Sequence, residues 1–261
     1  MEGPSLKILV DELAPLVRKR ISSARGSASL PYDAFKGKVL RAATSWGKLL
    51  LLQIGDDWLK IHFLMFGSYA IDKEKIGRDP RFSLAFSGGR EFNVYTSAVS
   101  LLAQTPSDLY DQRLDVLGDA WDAKLAAKNV RAQPRSMICD VLMDQTVFAG
   151  VGNIIKNEAL FNLRLHPELL VGDLTPAQIR AVVKEARAYC ERFKAWKLRG
   201  ELKRNWLIFR KRKCPACSGA VVKESTGAGQ RLSHYCPKCQ LHPSVVLPLK
   251  GRTSAGRMRR A

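Results

Sequence analysis

Four cysteines stand in two pairs late in the chain: Cys214-Pro-Ala-Cys217 and, eighteen residues on, Cys236-Pro-Lys-Cys239. Few sequence features constrain a fold as tightly. Two knuckles offering two thiolates each match a closed tetrahedral zinc site, and the intervening stretch is long enough for one β-hairpin. Two disulfides are the competing reading. His234 and His242 lie close by, but four thiolates already complete the site, so both are read as hairpin or surface residues. The first pair follows Arg210-Lys211-Arg212-Lys213, which places a metal-pinned hairpin beside four consecutive cations.

The charge balance extends that theme. Forty-three Lys and Arg against 24 Asp and Glu give a net charge of +19 over 261 residues. Such a field attracts polyanions, with nucleic acid the leading partner and an anionic membrane surface the lesser one. Met1-Glu2-Gly3-Pro4 has neither the basic nor the apolar region of a secretory leader, and no apolar run approaches the ~18 residues of a spanning helix. Cysteines in metal spacing fit a reducing compartment, so a cytoplasmic location is expected, nucleoid-associated in a prokaryote. Cys139 and Cys190 fall in helical patterns and are expected in the core.

The apolar period changes along the chain. Residues 6–21 read as a helix, divided or kinked at Pro15. Residues 39–102 read as strands, with one hairpin joining 48–54 to 58–64 and a second joining 81–86 to 91–95. Consecutive hairpins without intervening helices predict an antiparallel β-sandwich. Beyond about residue 105 the pattern turns helical, with helices expected at 134–145 and 153–162. A longer one opens at Thr175-Pro176-Ala177-Gln178, a capping box with proline in the first turn, and runs to about Lys197. The fold class is therefore α+β. The expected units are a β-sandwich domain at 1–115, a helical domain at 116–205, a zinc hairpin at 206–245 and a disordered basic tail at 246–261.

Ala149-Gly150-Val151-Gly152-Asn153 separates two helices. Its glycines permit a tight turn and close backbone approach, and the free N–H groups of the next helix favour an anion. The stretch Gly150-Val-Gly152-Asn153-Ile-Ile-Lys156-Asn157-Glu158-Ala-Leu-Phe161, ending in His166-Pro167, resembles the helix–two-turn–helix of the Fpg/Nei DNA glycosylases. Gln230-Arg231-Leu-Ser-His-Tyr-Cys236-Pro-Lys-Cys239-Gln240 is similar to that family's zinc finger. Met1-Glu2-Gly3-Pro4 resembles its N-terminal Pro-Glu-Gly-Pro, and Trp46-Gly47-Lys48 with His62-Phe-Leu-Met65-Phe-Gly67 resembles two further segments. These matches run in order over nearly the whole chain.

The resemblance implies a monomeric enzyme that flips a damaged base out of DNA, removes it, and cleaves the backbone by β- or β,δ-elimination. An N-terminal amine would attack sugar C1′ and form a Schiff base. Proline usually supplies that amine; here Met1 stands in its place, and its primary amine is the expected nucleophile. With an ordinary pKa of roughly 7.7–8.0, an α-amine is partly neutral near pH 7. Glu2 corresponds to the general acid/base, while Ser5 stands where many relatives carry a second acid. Lys48 corresponds to a lysine that contacts phosphate and assists catalysis. Asn153 and Arg231 correspond to phosphate-gripping residues, and Met65 to a wedge filling the gap left by the everted base. The Arg and Phe that complete this wedge in many relatives have no counterpart, which favours acceptance of single-stranded as well as duplex damaged DNA. The motifs lean toward the endonuclease VIII-like branch, hence oxidised pyrimidines and hydantoins, with Zn2+ purely structural. The missing proline leaves one alternative, a damaged-DNA-binding protein that keeps the clamp without catalysis.

Overall fold

The computed structural model describes residues 1–241. His242 and the expected tail at 246–261 lie outside the described residues. In chain order the helices are α1 (Gly3–Leu13), α2 (Tyr32–Phe35), α3 (Pro106–Leu109), α4 (Ala123–Arg131), α5 (Ile138–Met143), α6 (Asn153–Asn162) and α7 (Pro176–Leu198). The strands are β1 (Ile21–Arg25), β2 (Leu40–Trp46), β3 (Leu49–Ile54), β4 (Asp57–Ile71), β5 (Phe82–Phe86), β6 (Glu91–Leu102), β7 (Val222–Thr226) and β8 (Arg231–Tyr235).

The first six strands make one curled antiparallel sheet in the order β1-β5-β6-β4-β3-β2. The long partners β4 and β6 lose register between Phe63 and Ser68, and the irregular stretch leaves Leu64, Met65 and Phe66 in solvent. Strand β3 explains its own run of leucines. Leu50, Leu52 and Ile54 enter the sheet core with Leu6, Leu9 and Leu13 of α1, while Leu51 on the opposite face packs with Trp46 and Ala149. A strand buried on both faces has no polar alternation to keep.

Two expected helices are shorter in the structure. The first ends at Leu13, and Ala14–Leu16 tighten into a 3-10 turn. Pro15 has no N–H to give the preceding turn, so the helix cannot continue through it. Ile21 belongs instead to β1, whose residues pair with β5. The helix expected at 134–145 is confined to Ile138–Met143. Before it, Met137 bridges Leu170 and the Ile138 N–H is donated to Leu169 O, which ties this stretch to a neighbouring loop. The helices at Asn153–Asn162 and Pro176–Leu198 follow the sequence reading, and Thr175 and Gln178 close the expected capping box. Cys139 and Cys190 are buried in the helical core with Val141, Phe148, Ile155 and Val183. Among the described residues no helix is long and apolar enough to cross a membrane.

The two cores meet through glycine. The Gly3 N–H donates to Gly150 O at 2.9 Å. A Cβ on Gly3 would fall 2.6 Å from Gly150 Cα and 3.1 Å from Gly47 O. One on Gly47, whose φ is +55°, would meet Ala149 Cβ and Gly150 N at 3.0 Å. The start of α1, the β2–β3 turn and the turn before α6 therefore touch backbone to backbone. Gly3→Ala should destabilise the protein by about 1–3 kcal/mol, since only main chain could give way; a lowered urea midpoint with unchanged m would show it.

Candidate functional site

The glycine junction determines where Glu2 goes. Its carboxylate caps α6 from outside the helix, accepting the Ile154 N–H on Oε1 at 2.7 Å and the Ile155 N–H on Oε2 at 3.3 Å. The free N–H groups and positive end of α6 welcome an anion there. Gly152 makes room: a Cβ at that position would lie 2.3 Å from the Glu2 carboxyl carbon. Burial pushes the Glu2 carboxyl up, opposed by the Ile154 hydrogen bond and by Lys48.

Around this carboxylate the structure gathers three amines. Met1, Glu2, Lys48 and Lys197 line one cleft of about 740 Å³, together with His62, Met65, Asn153 and Arg231. Burial lowers the Met1 α-amine below its ordinary value of 8.0; Glu2 pulls it back up, while Lys48 and Lys197 lower it further. Lys48 comes from the two-residue turn between Trp46 and Leu49. It too is lowered, first by burial, with Glu2 raising it and Arg231 lowering it again. The neutral amine and the protonated acid are both favoured by removal from water.

The remaining expected residues form the rim. Met65 is 77% exposed at the β4 irregularity. Asn153 opens α6 and donates from Nδ2 to Leu232 O at 2.9 Å, so it holds the hairpin as well as facing the cleft. Arg231 is exposed, without an ion pair among the described residues. A second cleft of about 970 Å³ shares Met65, Asn153 and Arg231 with the first and adds Arg210, Lys211, Arg212 and Lys223. This basic trough leading from the amine cluster concentrates positive charge, which attracts polyanions.

The four cysteine sulfurs lie within 4.8 Å of one another, with Cys214 and Cys239 at 3.8 Å and Cys217 and Cys236 at 3.5 Å. Thiolates ~2.3 Å from a tetrahedral zinc stand ~3.8 Å apart, so the cluster fits a structural zinc site. All six cysteines among the described residues are free, and these two sulfur pairs stand well beyond disulfide bond length. His234 sits in β8, buried, its N–H donating to Asn157 Oδ1 at 2.6 Å.

Several side chains of the site were not singled out from sequence. Lys197 donates to Ser5 Oγ at 2.6 Å, so the serine standing where relatives carry an acid holds a lysine of α7 in the cleft. Glu158 is fully buried and accepts the N–H groups of Leu207, Ile208 and Phe209 at 2.9, 3.0 and 2.7 Å, fixing the approach to the zinc hairpin. Lys156 is buried against Ser233 Oγ at 2.8 Å, and burial lowers it to about 8. Gln240 accepts the Cys236 N–H and donates to Leu165 O. Glu158, Lys156 and Gln240 lie inside the quoted motifs, whose polar residues in otherwise apolar surroundings were the available signal.

Comparisons with known proteins bear on the fold and the family. Residues 114–193 match the formamidopyrimidine-DNA glycosylase H2TH domain. The chain is 33% identical over 232 residues to endonuclease 8-like 3 of Bos taurus, covering 84% of this chain and 38% of that protein. It is 33% identical over 198 residues to endonuclease 8-like 2 of Mus musculus, covering 70% of this chain and 58% of that protein. The chain thus spans well under two thirds of these relatives. A viral DNA glycosylase superposes with a TM-score of 0.80 at 19% identity, covering 92% of this chain and 100% of that one. The formamidopyrimidine DNA glycosylase of Lactococcus lactis, bound non-covalently to DNA containing an AP site, gives 0.79 at 22%, covering 93% and 100%. Cys236→Ser should lower bound zinc well below one equivalent and loosen β7 and β8; metal analysis and amide exchange over residues 222–235 would record both.

Proposed function

Because the chain belongs to the Fpg/Nei family of DNA glycosylases, we propose that it excises oxidised bases from DNA and then cuts the strand at the abasic site. The observation that carries this reading is the convergence of a half-buried α-amine, the Glu2 carboxyl and Lys48 in one cleft that opens onto a basic trough.

Each group has a part. The neutral Met1 amine attacks C1′ of an extruded nucleotide, the N–C1′ bond forming as the glycosidic bond breaks and the base leaves with a proton. Glu2 donates a proton to the ring oxygen, the C1′–O4′ bond breaks to leave a hydroxyl on C4′, and the nitrogen lone pair closes the C1′=N bond, so that the sugar opens as the protonated imine on Met1. Removal of a C2′ proton then expels the 3′ phosphate, which is β-elimination. Lys48 and Arg231 face the phosphates on either side of the sugar, and Arg231 offers a bidentate fork. Met65, already exposed, fills the space that the base vacates. Oxidised pyrimidines and hydantoins are the proposed lesions, in duplex or single strands.

The electrostatics favour the productive form, in which the amine is neutral while the acid keeps its proton. In water an amine at 8.0 and a carboxyl at 4.5 seldom hold those states together. Burial lowers the first and raises the second, so the window separating them narrows and the productive fraction grows. Activity should rise with pH as the amine deprotonates, fall as Glu2 loses its proton, and peak on the acid side of pH 8.0. A profile still climbing beyond pH 8.0 would contradict the depressed amine.

Borohydride trapping on an abasic oligonucleotide, with peptide mapping by mass spectrometry, tests the nucleophile. The adduct should lie on the N-terminal peptide. Glu2→Gln should abolish release of an oxidised pyrimidine while leaving DNA affinity within about twofold, because the carboxamide keeps the shape and still caps α6 in part. Tight binding by the unaltered protein with neither adduct nor base release would establish the non-catalytic, damaged-DNA-binding reading instead.

A further inference from the structure

The β7–β8 turn is poorly suited to hold anything still by itself. Thr226 pairs with Arg231, closing a loop of Gly227-Ala228-Gly229-Gln230. Residues 228–231 are exposed, two loop residues are glycine, and Gly227 and Gln230 both have positive φ, +72° and +47°. Free glycine-rich loops sample many conformers. Arg231 needs a defined direction to meet a phosphate with both arms of its guanidinium.

Three consecutive N–H groups of this loop converge on carboxylates of the helical domain. Ala228 donates to Asp140 Oδ2 at 2.8 Å and Gly229 to Asp140 Oδ1 at 3.1 Å. Gly227 donates to Glu168 Oε1 at 3.5 Å. Successive main-chain N–H groups of this kind form a nest for an anion, and Asp140 fills it. The fit is close: a Cβ on Gly227 would lie 2.4 Å from Asp140 Oδ1. Asp140 makes no ion pair among the described residues; the loop amides are its hydrogen-bond donors, and the buried Lys156 is the cation that feels its charge. A carboxylate this near a phosphate-facing arginine repels the ligand; its place there is accounted for by what it holds. On the other side of Arg231, Leu232 O accepts from Asn153.

We infer that Asp140 is a positioning residue for Arg231, locking the hairpin turn to α5 so that the guanidinium is aimed before DNA arrives. This inference rests on the proposed phosphate contact of Arg231. Charge-assisted bonds to two amides are lost in Asp140→Ala, and the expected cost is about tenfold in affinity for abasic-site DNA. The slope of log affinity against log salt should fall by about one, as it should for Arg231→Ala.

The decisive comparison is a double-mutant cycle on the full chain, using a fluorescent tetrahydrofuran-site oligonucleotide, with zinc content and urea midpoint followed in parallel. Asp140→Ala/Arg231→Ala should lose no more slope than Arg231→Ala alone. Asp140→Asn, which can accept only one of the two N–H groups, should recover part of the affinity, and it carries the cycle if the alanine variant does not retain zinc. If Arg231→Ala reduces the slope and the Asp140 variants do not, the positioning role is overturned while the phosphate contact stands. An additive slope in the double variant overturns it as well. If Arg231→Ala leaves the slope unchanged, the phosphate contact fails and Asp140 has nothing to aim.

Discussion

The bond between the Glu2 carboxylate and the first free amides of α6 is the constraint on which the site depends. It joins residue 2 to residue 154, hence the start of the chain to the helical domain. A carboxylate buried without partners would be costly; at a helix N-terminus it meets donors and a favourable dipole. The approach succeeds only because Gly152 offers no Cβ, and Gly3, Gly47 and Gly150 bring three backbones into contact beside it. Those glycines were quoted from the sequence as motif letters. Their physical content is distance, since a side chain at Gly152 would push Glu2 off α6 and one at Gly3 would push the chain start off Gly150.

Helix α6 serves two partners. Its N-terminus receives Glu2, while its flank carries the zinc hairpin through polar contacts. Asn153 reaches Leu232 O, Lys156 reaches Ser233 Oγ, Asn157 accepts from His234 N–H, and Glu158 gathers the amides of residues 207–209. Hydrogen bonds are directional, so this seam fixes the register of β8 against α6 more closely than apolar contact alone would. The cluster of cysteines closes the far end of the same hairpin around Phe161 and Ile208.

Local signals in the sequence were reliable where they were sufficient. Cysteine spacing located the metal cluster, the Thr175–Gln178 capping box located the start of α7, and the Gly152-Asn153 step located the start of α6. Errors arose where a remote partner decides. Residues up to Ile21 look helical by period, yet Pro15 and the edge of β5 make Ile21 a strand residue. Helix α4, capped by Asp122, was not assigned individually, because the helical period beyond residue 105 did not show where its buried face, Ala126, Ala127 and Val130, would find the helical core. Asp140 and Lys197 resemble ordinary surface charges in one dimension. Their partners lie 88 and 192 residues away, beyond any windowed pattern.

The four leucines of β3 leave one more mark on the molecule. Because Leu50 and Leu52 face the sheet interior and Leu51 leans on Trp46 and Ala149 behind it, a single strand borders both that interior and the small cluster that Ala149 of the helical lobe joins. Neither compartment owns that wall alone. Pulling Ala149 away from it would uncover Leu51 and Trp46, so the sheet's own wall is left partly bare wherever that contact loosens.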